Sequence, residues 1–172
     1  LAMFLPLFWP KLPLPAPGTA EIRVLDVGQG LSVLIRTRSQ VWLYDTGARN
    51  GDFDIGERVV VPTLRSLGIG HLDLLMLSHA DNDHAGGAVA VKHALRPAQV
   101  ISGEPERLAP ELQARPCRNE DWTIDGVRLS SWQWSGARES NDRSCVLEIE
   151  ANGERILLTG DLPQPAELAW LA

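Results

Sequence analysis

The chain has 172 residues, 44% of them hydrophobic, and a formal net charge of −6. That length buries one real core, so the reading is one domain or most of one. The acidic balance argues against an indiscriminate polyanion binder, whose affinity comes from clustered Lys and Arg. It weakens nucleic-acid binding without removing it, because bound cations are often the largest charges in a pocket.

The chain opens on an apolar run, Leu1 to Pro10, with no basic region before it. The run is shorter than the roughly 20 apolar residues that span a bilayer, and it lacks the plan of a signal peptide. It reads as the tail of a membrane helix followed by a stiff Pro-rich linker, Lys11 to Pro17. An ordinary apolar arm is the alternative. Residues 1–19 are therefore set apart from a domain over 20–172. The helix-like Pro165 to Ala172 stops abruptly, so the C-terminal part of that domain is expected to be missing.

From Glu21 the pattern is β. Ile22 to Val27 leads into the turn Gly28-Gln29-Gly30, and two further alternating runs, Leu31 to Arg36 and Val41 to Tyr44, complete an antiparallel meander. Asp45-Thr46-Gly47 ends the third strand. A Gly- and Asp-rich loop, Asn50 to Gly56, precedes a helix through about Leu67, with Pro62 tolerable only near its first turn and Gly68 as its stop. Leu72 to Leu77 is almost wholly apolar and reads as a buried strand. Ala88 to Leu95 has helical character, and Ala98 to Ile101 resumes as a strand. Residues 103–121, rich in Pro and charge, form a surface excursion. Two hairpins follow, Trp122 to Trp134 around Asp125-Gly126 and Cys145 to Thr159 around Asn152-Gly153. Gly160-Asp161 closes the last strand. The order suits an α/β sandwich of mixed sheets with helices outside.

Chemistry concentrates between the buried strand and the helix that follows. His79, Asp81, Asp83 and His84 lie within six residues, and Gly86-Gly87 follow at once. In a loop, alternate side chains can converge. His79 with Asp81 could hold one ion and Asp83 with His84 a second, about 3.5–4 Å apart and sharing a carboxylate. The alternative is a polar loop whose aspartates accept backbone N–H groups ahead of a helix. Asp45 and Asp161 also fall at strand ends, where α/β folds commonly assemble sites. His71 and His93 stand alone and read as structural or surface residues. Cys117 and Cys145 lack C-x-x-C spacing and a nearby His, which leaves two buried thiols or one disulfide open.

Asp45-Thr46-Gly47, then His-x-Asp-x-Asp-His-x-Gly-Gly, then Thr159-Gly160-Asp161, in that order, resembles the metallo-β-lactamase superfamily. That family's signature carries a second His where this chain has Asp81. The runs Leu25 to Gly30, Asn141 to Leu147 and Leu157 to Asp161 further resemble the C-terminal domain of the ComEC family of bacterial DNA-uptake channels. The likeness covers roughly residue 20 to the end.

The resemblance implies a metallo-β-lactamase-like αββα sandwich. It places His79 and Asp81 at a first metal position, Asp83 and His84 at a second, and Asp161 as the bridging carboxylate. Asp45 would hydrogen-bond a ligand and fix its orientation. A carboxylate at position 81 tilts the preference from Zn²⁺ towards Mn²⁺, with Mg²⁺ also open. The implied activity is metal-dependent cleavage of a phosphodiester, as in a nuclease acting on the non-imported DNA strand during natural transformation. Asp83 or Asp161 would orient the attacking water. Arg49, Arg138 and Arg143, on loops, are candidates to meet phosphate, and Asn141 to Ser144 would line the site. The implied partners are single-stranded DNA and other competence proteins. The implied location is the outer side of the bacterial inner membrane, where Cys117–Cys145 would be a disulfide.

The chain departs from the pattern in having no His after His93, so the superfamily's third His has no counterpart. Leu31 stands where an Asp often follows Gly-Gln-Gly. These departures predict weak metal binding and little turnover from this chain alone. Two other functions compete: a superfamily hydrolase acting on a thioester or lactone, and a catalytically degenerate domain that only guides DNA or partners at a membrane pore.

Overall fold

The computed structural model describes residues 13–171. The supposed membrane tail, Leu1 to Pro10, and the first two residues of the linker lie outside the described residues. Among the described residues no helix is long and apolar enough to cross a membrane.

β1 (Glu21–Val24), β2 (Val33–Arg36) and β3 (Val41–Tyr44) form the meander, with Glu21 opposite Arg36 and Val33 opposite Tyr44. The loop that follows is more ordered than its Gly and Asp content suggests. It folds into a small hairpin of β4 (Arg49–Asn50) and β5 (Phe53–Asp54). Asp54 Oδ1 then accepts the Glu57 N–H at 3.0 Å and starts a π-helical turn, Gly56–Val60, which runs into α1 (Val61–Ser66). β6 (Leu74–Leu77) lies parallel to β3. Two helices follow, α2 (Asn82–Ala85) and α3 (Ala88–Leu95), before β7 (Gln99–Ser102) joins β6 in parallel.

The excursion over 103–121 is not confined to the surface. It supplies β8 (Arg115–Pro116), the last strand of a six-stranded mixed sheet ordered β1-β2-β3-β6-β7-β8. Leu112 is buried in the helical core, with Leu108 packed against it. Cys117 and Cys145 are joined by a disulfide across a Cα–Cα distance of 5.8 Å. Apolar side chains set among the charges, and a covalent tie, hold the segment down.

The second sheet is antiparallel throughout. Its strands β9 (Glu120–Ile124), β10 (Val127–Trp132), β11 (Val146–Ala151) and β12 (Glu154–Leu158) run in the order β12-β11-β10-β9. Mixing of strand direction is thus confined to the first sheet. Both hairpins turn on residue pairs with positive φ, Asp125-Gly126 and Asn152-Gly153, the backbone that matches strand twist. The linker packs here too, the Gly18 N–H donating to the Asp125 carbonyl at 2.7 Å.

Side-chain alternation builds the layers. Val33, Ile35, Leu74 and Met76 face Leu129, Leu147 and Ile149 between the sheets. Leu34, Leu43, Leu75 and Leu77 point the other way, onto Val60, Leu64, Val91 and Leu95 of the helices. On the far side of the second sheet, Val146 meets Leu162 and Ala166, the latter in α4 (Gln164–Leu171). The result is helix, sheet, sheet, helix.

Candidate metal centre

The site lies where β3, β6 and β12 end. Asp45 follows β3 with φ of +59°, a left-handed backbone that costs a non-glycine residue energy unless its surroundings over-determine it. They do so through the carboxylate. Oδ1 accepts the Ser78 N–H at 2.7 Å, and Oδ2 accepts the Ser78 hydroxyl and the His84 Nδ1–H, each at 2.8 Å. Asp45 is wholly buried. Burial pushes its carboxyl up from the ordinary range, against the pull of His84 and Ser78.

These bonds set both imidazoles. His84 gives its Nδ1 proton to Asp45, which leaves Nε2 as a lone pair. Because the Ser78 hydroxyl points at Asp45, its oxygen is free to accept from His79 Nδ1, 2.9 Å away. His79 Nε2 is then a lone pair as well. It is fully buried and has no hydrogen-bond partner among the described residues. Burial also lowers the His79 pKa, with the neighbouring His84 acting in the same direction. Burial would lower His84 likewise, but the Asp45 hydrogen bond and charge outweigh it and raise the value.

Asp161 completes the group from the turn after β12. Its Oδ1 is 3.2 Å from His84 Nε2. One ligand atom each from His79, His84 and Asp161 fit within 4.8 Å of one another. Gly160 makes this approach possible. Its φ is +56°, and a Cβ there would come within 2.6 Å of the Ser78 Cβ. An orphaned buried lone pair beside a second imidazole and a carboxylate is the donor set that a divalent cation satisfies.

Asp81 and Asp83 stand at the edge of this group. Asp83 Oδ2 lies 3.8 Å from His84 Nε2, while its carbonyl accepts the Leu31 N–H at 3.2 Å. Gly30 allows that contact, because any Cβ there would collide with the Asp83 carbonyl. Asp81 heads α2 but makes no side-chain cap bond, contrary to the capping-loop alternative. Its Oδ2 is 3.6 Å from His79 Nε2, and its Oδ1 is engaged by Arg107 and Ser140.

Sequence reasoning passed over Ser78, Glu104, Arg107 and Ser140. Ser78 had a signal, as the polar residue ending an apolar strand next to the ligand run. Glu104 and Arg107 had none, since nothing in a charged excursion says which charges turn inward. Of the arginines expected to meet phosphate, Arg143 is 3.0 Å from Glu106 and Arg49 is 3.9 Å from Asp54. Arg138 lends its backbone N–H to Asp142. His93 sits on α3, its exposed side chain 3.5 Å from Glu111.

Residues 25–171 match the model of the metallo-beta-lactamase superfamily. Competence protein ComA of Neisseria gonorrhoeae is 38% identical over 150 residues, 86% of this chain and 20% of that protein. Recombination protein 2 of Haemophilus influenzae is 34% identical over 145 residues, 83% of this chain and 18% of that protein. The chain thus spans about a fifth of the length of these relatives. A metallo-beta-lactamase with a HARLDQ motif from Cronobacter sakazakii shares the fold. Its TM-score is 0.64 at 19% identity, covering 88% of this chain and 63% of that one. The matched family model, the four-layer sandwich and the donor set at the strand ends agree: this chain belongs to the metallo-beta-lactamase superfamily, in the branch that resembles the metallo-β-lactamase-like domain of ComEC-type competence proteins.

Proposed function

We propose that the chain is the metal-dependent hydrolase domain of a bacterial DNA-internalisation protein, and that it cuts a phosphodiester of the strand that is not imported. The observation that carries this reading is the pair of imidazole Nε2 lone pairs, one of them buried without a partner, set within reach of the Asp161 carboxylate. Its biological setting rests on the likeness to competence proteins. Attachment to an inner-membrane channel, with this domain on the outer side, belongs to the same proposal. So does the division of the chain into a membrane-proximal 1–19 and a hydrolase domain from residue 20.

In this proposal His79 and Asp81 would hold one cation and Asp83 and His84 a second, with Asp161 supplying a further carboxylate. When bound, such ions supply Lewis acidity and a water acidic enough to act as a nucleophile near neutral pH. Asp45, accepting from His84 Nδ1, and Ser78, accepting from His79 Nδ1, aim both Nε2 atoms at the site. Asp83 or Asp161, each about half exposed at the side chain, accepts a hydrogen bond from the attacking water and orients it. A carboxylate at Asp81 in place of an imidazole favours Mn²⁺ over Zn²⁺, with Mg²⁺ also open. The test is Mn²⁺-dependent cleavage of a labelled single-stranded oligonucleotide by the protein that carries this domain. Cleavage should be lost in His79→Ala. Stoichiometric Mn²⁺ binding without any cleavage would sink the nuclease reading.

That outcome would favour a domain that guides DNA without cutting it. The engagement of Asp81 Oδ1 by Arg107 and the net charge of −6 are the observations on its side.

A further inference from the structure

Asp81 stands where the superfamily signature carries an imidazole. A carboxylate on a short, partly exposed stem is free to turn between rotamers, so it makes a poor ligand unless something holds it. We propose that Glu104, Arg107 and Ser140 form a clamp that positions Asp81 as a one-oxygen ligand beside His79. The clamp rests on the metal-dependent reading of the site.

The geometry divides the two carboxylate oxygens between two tasks. Oδ1 is taken: Arg107 Nη2 donates to it at 3.3 Å, and Ser140 Oγ, whose one proton serves either this oxygen or Glu104 Oε2, lies 3.0 Å away. Oδ2 is left facing His79 Nε2 at 3.6 Å, the buried atom that no group among the described residues satisfies. The clamp thus withholds one oxygen and presents the other to the point where the imidazole lone pair is aimed.

Glu104 anchors the arrangement. It is only 2% exposed, and all of its contacts at this point converge on one oxygen. Oε2 lies 2.9 Å from Arg107 Nη1, 2.6 Å from Ser140 Oγ and 3.1 Å from the Ala80 nitrogen, which donates to it. Ala80 is the residue between His79 and Asp81. One buried carboxylate therefore fixes both the backbone that carries the two ligands and the side chains that hold the second. Its negative charge also offsets the Arg107 guanidinium, so the clamp does not set an uncompensated positive charge beside a cation site. Glu104 and Arg107 come from the excursion and Ser140 from the turn before β11. The Cys117–Cys145 disulfide links those same two regions.

The test is Mn²⁺ titration of the full chain, followed by the electron paramagnetic resonance of the free ion. Arg107→Ala should raise the Mn²⁺ Kd about 10–100-fold, the usual cost of removing a group that supports a metal ligand. Its thermal midpoint without metal should stay close to that of the native chain, because Arg107 is half exposed. Arg107→Lys, which cannot reach both carboxylates, should fall between the two. Glu104→Gln keeps the volume and should weaken binding in the same direction. An unchanged or lower Kd in a folded Arg107→Ala chain would overturn the clamp and leave Arg107 as a surface charge. A second measurement works without metal: nuclear magnetic resonance couplings about the Asp81 Cα–Cβ bond should average in Arg107→Ala and not in the native chain. If the native chain takes up no Mn²⁺, the metal reading fails, and this measurement alone upholds or overturns the clamp.

Discussion

The His84 Nδ1–H donates to Asp45 Oδ2 at 2.8 Å, and neither side chain has meaningful contact with solvent. The bond decides which ring nitrogen of His84 faces Asp161. Asp45→Asn keeps the volume and tolerates the left-handed backbone, but its amide can present an N–H where a carboxylate oxygen was. His84 would then be driven toward the other tautomer, with Nε2 protonated and unable to ligate. The expected result is a folded chain with metal affinity lowered about 10–100-fold, read by calorimetric titration.

Gly160→Ala should act on the site without touching a ligand. The added Cβ meets the Ser78 Cβ at 2.6 Å, and the positive φ adds backbone strain of about 1–3 kcal/mol. Asp161 is displaced and the relay through Ser78 disturbed, so both thermal stability and metal uptake should fall together. A crystal structure of the variant with Asp161 unmoved would contradict this.

Reduction of Cys117–Cys145 frees the loop between two residues 28 apart in sequence. On the chain-entropy account that bridge contributes about 3–4 kcal/mol. The melting midpoint should drop by about 10 °C in reductant, or in a Cys117→Ser, Cys145→Ser double variant. Mass mapping of the oxidised, natively folded protein should find no free thiol. Two free thiols would remove the prediction.

Glu104 makes stability depend on acid pH. Burial alone would push its carboxyl up. The contacts from Ser140, Ala80 and Arg107 outweigh that and hold it below its ordinary 4.5. A depressed carboxyl contributes stability that is complete above the unfolded value and is lost as pH falls through the folded one. Glu104→Gln should therefore cost about 2 kcal/mol near neutrality, from the loss of charged hydrogen bonds. The gap between the two melting midpoints should narrow steadily below about pH 4.5. A gap constant from pH 7 to pH 3 would show that the charge of Glu104 is not what stabilises the fold.

Much of this was legible in the chain itself. The apolar run Leu72 to Leu77 declared a buried strand, and the pairs Asp125-Gly126 and Asn152-Gly153 declared their turns, because those signals are local. The run His79 to His84 declared a candidate cation site for the same reason: four potential ligands next to one another need no knowledge of the fold. The excursion was misread because its few apolar residues, Leu108 and Leu112, sit singly among charges and give no period. The hairpin Arg49–Asn50 and Phe53–Asp54 escaped because strands of two residues each leave no pattern at all.

Sequence by itself determined the α/β class through the order of its elements, the superfamily through a resemblance of motifs, and the residue types available to a metal through candidate ligands close along the chain. Tertiary structure alone decided which atoms face one another. It set Ser78 between Asp45 and His79, left the His79 Nε2 buried and unsatisfied, and brought Arg107 and Ser140 to one oxygen of Asp81. Those relationships join residues from different elements, whose separation along the chain says nothing of their distance in space. Directed hydrogen bonds distinguish one nitrogen or one carboxylate oxygen from the other, and that choice appears only when the strand ends and the excursion are folded against each other.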